Sequence, residues 1–197
     1  MRNGPQLPLD RCPHCNVARP SLAMRWNGPS KDYRDGNPRF WFLYCCASCG
    51  GMVLTVSPLN QGTEVSSIWP NPPSVSDTLP PRAHDFLMQA LESLNAPAGA
   101  VMLAASAIDA MLKDKGFKDG SLNSRIDAAA KSHLITQEMA AWAHDIRLEA
   151  NDQRHADETA SLPSSADAAK VIEFANALAQ FLYVLPARVE KGRKPTT

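Results

Sequence analysis

The spacing of apolar residues changes along the chain, and the change divides it in two. Around residues 39–56 the apolar positions form two short runs, Arg39-Phe-Trp-Phe-Leu-Tyr-Cys45 and Met52-Val-Leu-Thr-Val56. Both are rich in aromatic and β-branched side chains, the composition of strands. From about residue 82 the period is helical. Arg82 to Asn95 puts Phe86, Leu87, Ala90, Leu91 and Leu94 on one face. Pro97 suits the start of a second helix, Ala98 to Lys115, which Gly116 ends. A third, Ser121 to His133, follows Gly120 with serine and asparagine caps available. Thr136 caps a fourth that reaches about Ala156. Pro163-Ser-Ser opens a fifth, which carries Val171, Ile172, Phe174, Leu178, Phe181, Leu182 and Val184 and ends before Pro186. Short connections make successive helices antiparallel neighbours. The predicted class is α+β as two units, a small β ribbon followed by an all-α antiparallel bundle of about five helices.

Composition sharpens the seam. Twelve of the sixteen prolines lie at or before Pro81, and the stretch WPNPPSVSDTLPP cannot hold a helix. The expected organisation is a ribbon over 1–70, a stiff Pro-rich linker over 71–81, a helical bundle over 82–190 and a tail over 191–197. The 197 residues carry 20 basic and 20 acidic side chains, so no overall charge excess advertises a polyanionic partner. The balance is uneven, however: residues 1–70 hold seven basic and four acidic residues, a net of +3. The start, MRNGPQLPLD, lacks the apolar run of a signal peptide. Ala98 to Leu112 is interrupted by Ser106 and Asp109 and is too short to span a bilayer. A cytoplasmic protein with no membrane partner is therefore expected.

All five cysteines precede residue 50, in Cys12-Pro-His-Cys15 and Cys45-Cys46-Ala-Ser-Cys49-Gly-Gly. Two thiolates three positions apart on a tight turn reach one tetrahedral ion, and two such turns complete a four-ligand shell. Cys12, Cys15, Cys46 and Cys49 are the expected ligands of a structural Zn2+ in a zinc ribbon, whose few strands enclose too little core to fold alone. Disulfides are disfavoured by the missing secretion signal, and a redox pair needs only one such motif. Cys45 reads as a strand thiol outside the shell, and His14 as a residue that faces solvent or backs a sulfur. Phe40, Trp41, Phe42 and Tyr44, beside Arg25, Lys31, Arg34 and Arg39, are more aromatics than so thin a fold can bury. The excess implies a contact surface, with RNA or DNA and a protein partner equally open as its occupant.

The fourth helix carries the candidate chemistry. Met139, Trp142, Ala143, Ile146 and Ala150 share a core face, while His144, Arg147, Asn151 and His155 form a polar stripe. Such a stripe could hold a phosphate and move a proton, but polar stripes on bundle helices are ordinarily a solvated face or a hydrogen-bonded seam against the last helix.

Four segments carry a family resemblance: Ala107-Ile-Asp-Ala-Met-Leu-Lys-Asp-Lys-Gly116, Leu122-Asn-Ser-Arg-Ile-Asp127, Trp142-Ala-His-Asp-Ile-Arg-Leu-Glu-Ala-Asn-Asp-Gln-Arg-His-Ala-Asp157 and Phe181-Leu-Tyr-Val-Leu-Pro-Ala-Arg188. They resemble the bacterial domain of unknown function 4145, over about residues 82–190, some members of which carry a cysteine ribbon in front. That family looks like a branch of the HEPN-like (higher eukaryotes and prokaryotes nucleotide-binding) helical bundles. The resemblance implies either a binding module in a defence or stress setting or a metal-independent endoribonuclease. In the second case Arg147, Asn151 and His155 are the catalytic candidates, acting in a homodimer formed through the bundle. HEPN nucleases place four to six residues between arginine and histidine, whereas seven separate Arg147 from His155 here. The resemblance also marks Asp109 as an acidic position that needs a partner, with Arg147 a candidate.

Overall fold

The computed structural model describes residues 1–58, 63–145 and 161–193. The chain divides into two compact units, Met1–Pro73 and Ser74–Thr197. The class is α+β, an antiparallel sheet followed by helices.

The first unit is a four-stranded sheet in the order β1 (Leu22–Ser30), β2 (Arg39–Cys46), β3 (Met52–Ser57) and β4 (Ser67–Trp69), each strand antiparallel to the next. Alternation along β2 sends Phe40, Phe42, Tyr44 and Cys46 to one face and Arg39, Trp41, Leu43 and Cys45 to the other. On the first face the residues before β1 close a small core of Leu7, Cys12, Leu22, Phe42, Tyr44, Cys46 and Val53. A buried polar knot pins this covering segment. The Tyr44 hydroxyl donates to Asn3 Oδ1 at 3.2 Å, the Thr55 hydroxyl donates to the same oxygen, and Asn3 Nδ2 donates to Ser57 Oγ at 3.0 Å. Each buried polar group thus has a partner, which removes the penalty of taking it out of water. Burial pushes the Tyr44 phenol above its ordinary value, although Gly4 opposes the shift.

The second unit contains α1 (Pro81–Glu92), α2 (Pro97–Asp114), α3 (Leu122–Lys131), α4 (137–145), α5 (Ser165–Ala179) and α6 (Leu185–Arg193). Starts and stops follow local chemistry. Ser121 Oγ accepts from the Ser124 amide at 3.3 Å, and Thr136 Oγ1 from the Met139 amide at 3.2 Å. Ser164 and Asp167 form a reciprocal capping box. Gly116 takes φ +99 after α2, a conformation that costs other residues strain. α2 lies at the centre, packed on α1, α3 and α5. Half of its buried residues are alanine (Ala100, Ala104, Ala105 and Ala107), side chains small enough to let neighbouring helices come close. Trp142 of α4 meets Phe174 of α5 edge-on, with ring centroids 4.9 Å apart.

Two features differ from the sequence reading. Val75 and Leu79, within the stretch expected to be a spacer, are buried in the core of the helical unit. The proline-rich segment from Ser74 onward therefore packs, because it still carries an apolar residue every four positions. The last helix also passes through Pro186 instead of ending before it. Gln180–Val184 widen into a π turn, and the Leu185 amide bonds to the Gln180 carbonyl. A proline lacks the amide and crowds the carbonyl four residues back, and opening the ladder just before it lets α6 continue. The continuous helix Ser165–Arg193 is long and apolar enough to cross a membrane, but half of its most apolar window is buried in the unit, as in a core helix.

Phe174, fully buried in α5, tests this packing. Phe174→Ala should cost about 3–5 kcal/mol, read as a lower urea midpoint of the helical circular-dichroism signal. A cost under about 1 kcal/mol would show that α5 is not central to the core.

Candidate metal centre

Cys12, Cys15, Cys46 and Cys49 converge, their four sulfurs all within 4.8 Å of one another. Two loops of matched geometry achieve this. In the first, the Asn16 amide donates to the Cys12 carbonyl at 2.9 Å and the Cys12 amide to the Val17 carbonyl at 3.0 Å. In the second, the Gly50 amide donates to the Cys46 carbonyl at 2.9 Å and the Cys46 amide to the Gly51 carbonyl at 2.9 Å. The residue after the second cysteine is left-handed in both, Asn16 at φ 57 and Gly50 at φ 72. Glycine and asparagine are the residues that tolerate this conformation. The backbone then turns amides toward the sulfurs, and the Gly51 amide donates to Cys49 Sγ at 3.4 Å.

The donor set fits a tetrahedral soft metal. A bond length of about 2.3 Å to each sulfur requires sulfurs about 3.8 Å apart, and Cys12 and Cys49 lie 3.9 Å apart. All five cysteines are free thiols. Burial opposes ionisation of Cys46, yet hydrogen bonds from the Cys49 and Ser48 amides and from the Cys12 and Cys49 thiols outweigh it and lower the group to about 7. Cys49 moves the other way. The Gly51 amide favours its thiolate, but the Cys15 thiol, burial and Cys46 together raise it. The cluster thus holds one easily formed thiolate, the form that binds a metal.

His14 and Cys45 stand outside the set. His14 Nε2 donates to the Met52 carbonyl at 2.8 Å, and its ring lies across Gly51. A Cβ at position 51 would fall 2.4 Å from His14 Cδ2, so Gly51 is needed for this close approach, whereas Gly50 is needed for its positive φ. The histidine ties the first loop to β3. The Cys45 thiol sits on the opposite face of β2 and donates to the Gly50 carbonyl at 3.6 Å.

In the helical unit several polar residues form pairs. Asp109 of α2 is held by Arg125 of α3 and, at 2.6 Å, by Lys113. Arg125 also donates to the Gly120 carbonyl at 2.6 Å and so fastens the α2–α3 connection. The partner that Asp109 needs is found among the described residues in Arg125, because α3 packs directly on α2; Arg147, the candidate named from sequence, lies outside the described residues. His144, expected on the polar stripe, bonds Asp127 of α3 at 2.8 Å. Tyr183 in the π turn donates to Asp114 at 2.8 Å and to the Met111 carbonyl at 3.0 Å. Burial and the Asp114 carboxylate hold this phenol well above its ordinary value. Arg82, Asp109, Lys113, Asp114 and Arg125 line a cleft of about 900 Å3. Arg147, Asn151 and His155 lie outside the described residues.

Residues 82–194 match the family described as domain of unknown function DUF4145. The chain belongs to this family. No curated protein and no solved structure matches the chain. The paired residues Asp109, Arg125, Asp127 and His144 all fall inside the DUF4145 region.

Cys46→Ser should abolish metal retention after dialysis against a weak chelator, while Cys45→Ser should leave it unchanged; the reverse result would put Cys45 in the shell. Arg125→Ala strands Asp109 beside Lys113 alone and should cost about 1.5–3 kcal/mol in urea unfolding of the helical signal. A change within about 0.5 kcal/mol would mean that the pair is a surface contact only.

Proposed function

We propose that the protein is a binding module of two parts, a zinc-stabilised ribbon and a HEPN-like helical bundle, recognising nucleic acid or a protein partner in a bacterial defence or stress context, in the cytoplasm. The observation that carries this reading is the four-thiol cluster. Four sulfurs at tetrahedral spacing suit Zn2+ and leave no open position for a substrate or an activated water, so the metal's role is structural. The core beside it holds seven buried apolar residues, two of them cysteines, too few to fold a sheet without a clip.

The alternative is a metal-independent endoribonuclease in which Arg147 and His155 act in a homodimer. One observation favours keeping it: Asp109 has Arg125 and Lys113 as partners, so its charge is met without requiring Arg147.

One experiment separates the readings. Chelation of the purified protein should release about one zinc per chain, unfold the sheet and leave the helicity in place, and a mixed RNA pool should stay intact with or without EDTA. RNA cleavage that survives EDTA and disappears in His155→Ala would overturn the binding-module reading and establish the nuclease. Loss of all helicity on chelation would instead make the helical core depend on the metal.

A further inference from the structure

The sheet of the first unit has a second face, and nothing in its own small core covers it. Register places Trp26, Leu43, Leu54 and Trp69 directly opposite one another across all four strands. At strand spacings of about 4.8 Å this row spans about 14 Å. Trp41 lies in the next row, opposite Gly28 and Val56, with its ring centroid 5.8 Å from that of Trp69. None of these residues belongs to the cysteine-side core. Trp26 is 53% exposed and Trp69 45%. Three of the chain's four tryptophans therefore share one face of a small sheet.

The face is organised. A Cβ at Gly28 would lie 2.4 Å from the Trp26 ring, so glycine there lets the indole lie flat along β1. Trp41 Nε1 donates to Ser30 Oγ at 2.7 Å, which fixes the second ring. The charge is of one sign. The only charged residues on the four strands are Arg25, at the bulge beside Trp26, and Arg39, on the same side of β2 as Trp41. Among the described residues neither makes an ion pair. In the neighbouring β1–β2 connection Asp32 is taken up by the Arg34 and Gly36 amides and the Asn37 side chain.

From this arrangement we infer that the tryptophan face is a platform for single-stranded nucleic acid, with bases stacked on the indoles and phosphates met by Arg25 and Arg39. Indole stacking accepts any base, and two guanidiniums without carboxylates beside them on the strands suit a polyanion. The inference rests on the binding-module reading above and names its partner.

The test is a fluorescence titration of the metal-loaded full chain with a twelve-nucleotide oligouridylate at about 50 mM salt. Saturable quenching is expected. Trp26→Ala and Trp69→Ala should each weaken binding about 10-fold. The R25A/R39A double variant keeps every indole and should flatten the slope of log affinity against log salt by about 1.4. A duplex of equal length should bind at least about 10-fold more weakly, since paired bases offer no free face. Metal content and helicity, measured on each variant, separate lost contacts from lost folding. No quenching by a folded, metal-loaded protein overturns the proposal and leaves the face to a protein partner. Quenching that all three variants leave unchanged also overturns it. Neither failure touches the binding-module reading, which falls only if the protein cleaves RNA.

Discussion

Closure of two cysteine loops on one another is the constraint from which the rest of the first unit follows. The loops share a hydrogen-bond pattern, a left-handed residue after the second cysteine and amides turned inward, so four sulfurs meet at a spacing that one ion can bridge. Meeting there commits one face of the sheet. Cys46 projects from that face of β2, the segment before β1 folds over it, and Tyr44 and Asn3 lock the cover in place. Alternation then leaves no choice about the other face. Its leucines and Trp41 are partly buried and Val56 is buried, while Trp26 and Trp69 stay exposed at its two edges, and exposed apolar surface is what interaction sites are commonly made of.

The helical unit has different physics. Its core joins residues from all of α1 to α5 and the π turn, and its stability comes from ordinary apolar burial. Several polar residues inside the DUF4145 region hold its helices to one another. Arg125 ties α3 and the preceding connection to α2, His144 ties α4 to α3, and Tyr183 ties the π turn to the end of α2. The first two fasten each helix to the one before it and the third joins elements far apart in sequence, so together they help fix which helices are neighbours, which an alanine-rich core does weakly on its own.

Much of this was legible from residue order. The cysteine spacing named the four sulfurs, and the caps at Ser121, Thr136 and Ser164 gave three helix starts close to where they are found. What escaped has physical reasons. β1 contains Gly28 and Pro29 and a bulge at Arg25, so its alternation is broken, and β4 is three residues long. Trp26 and Trp69 lie on those two strands, and only the register gathers them beside Trp41. The four aromatics of β2 that suggested a contact surface divide between the faces: Phe40, Phe42 and Tyr44 turn to the cysteine side and Trp41 alone turns outward. Gly51 is required by the His14 ring, thirty-seven positions earlier, a demand that no local pattern encodes.

The polar stripe on the fourth helix changes meaning once its first member is placed. His144, Arg147, Asn151 and His155 form one line by periodicity, and a line of four suggests a groove. His144, however, spends its Nε2 on Asp127, so the start of the line is a seam between α4 and α3. The first residue of the line is therefore occupied within the bundle, and the other three lie outside the described residues. Asp109 bears on the same point from the other side, because a carboxylate already held by Arg125 and Lys113 gains little from a third cation. Both groups for which the sequence suggests structural pairing are thus engaged among the described residues, His144 with Asp127 and Asp109 with Arg125 and Lys113.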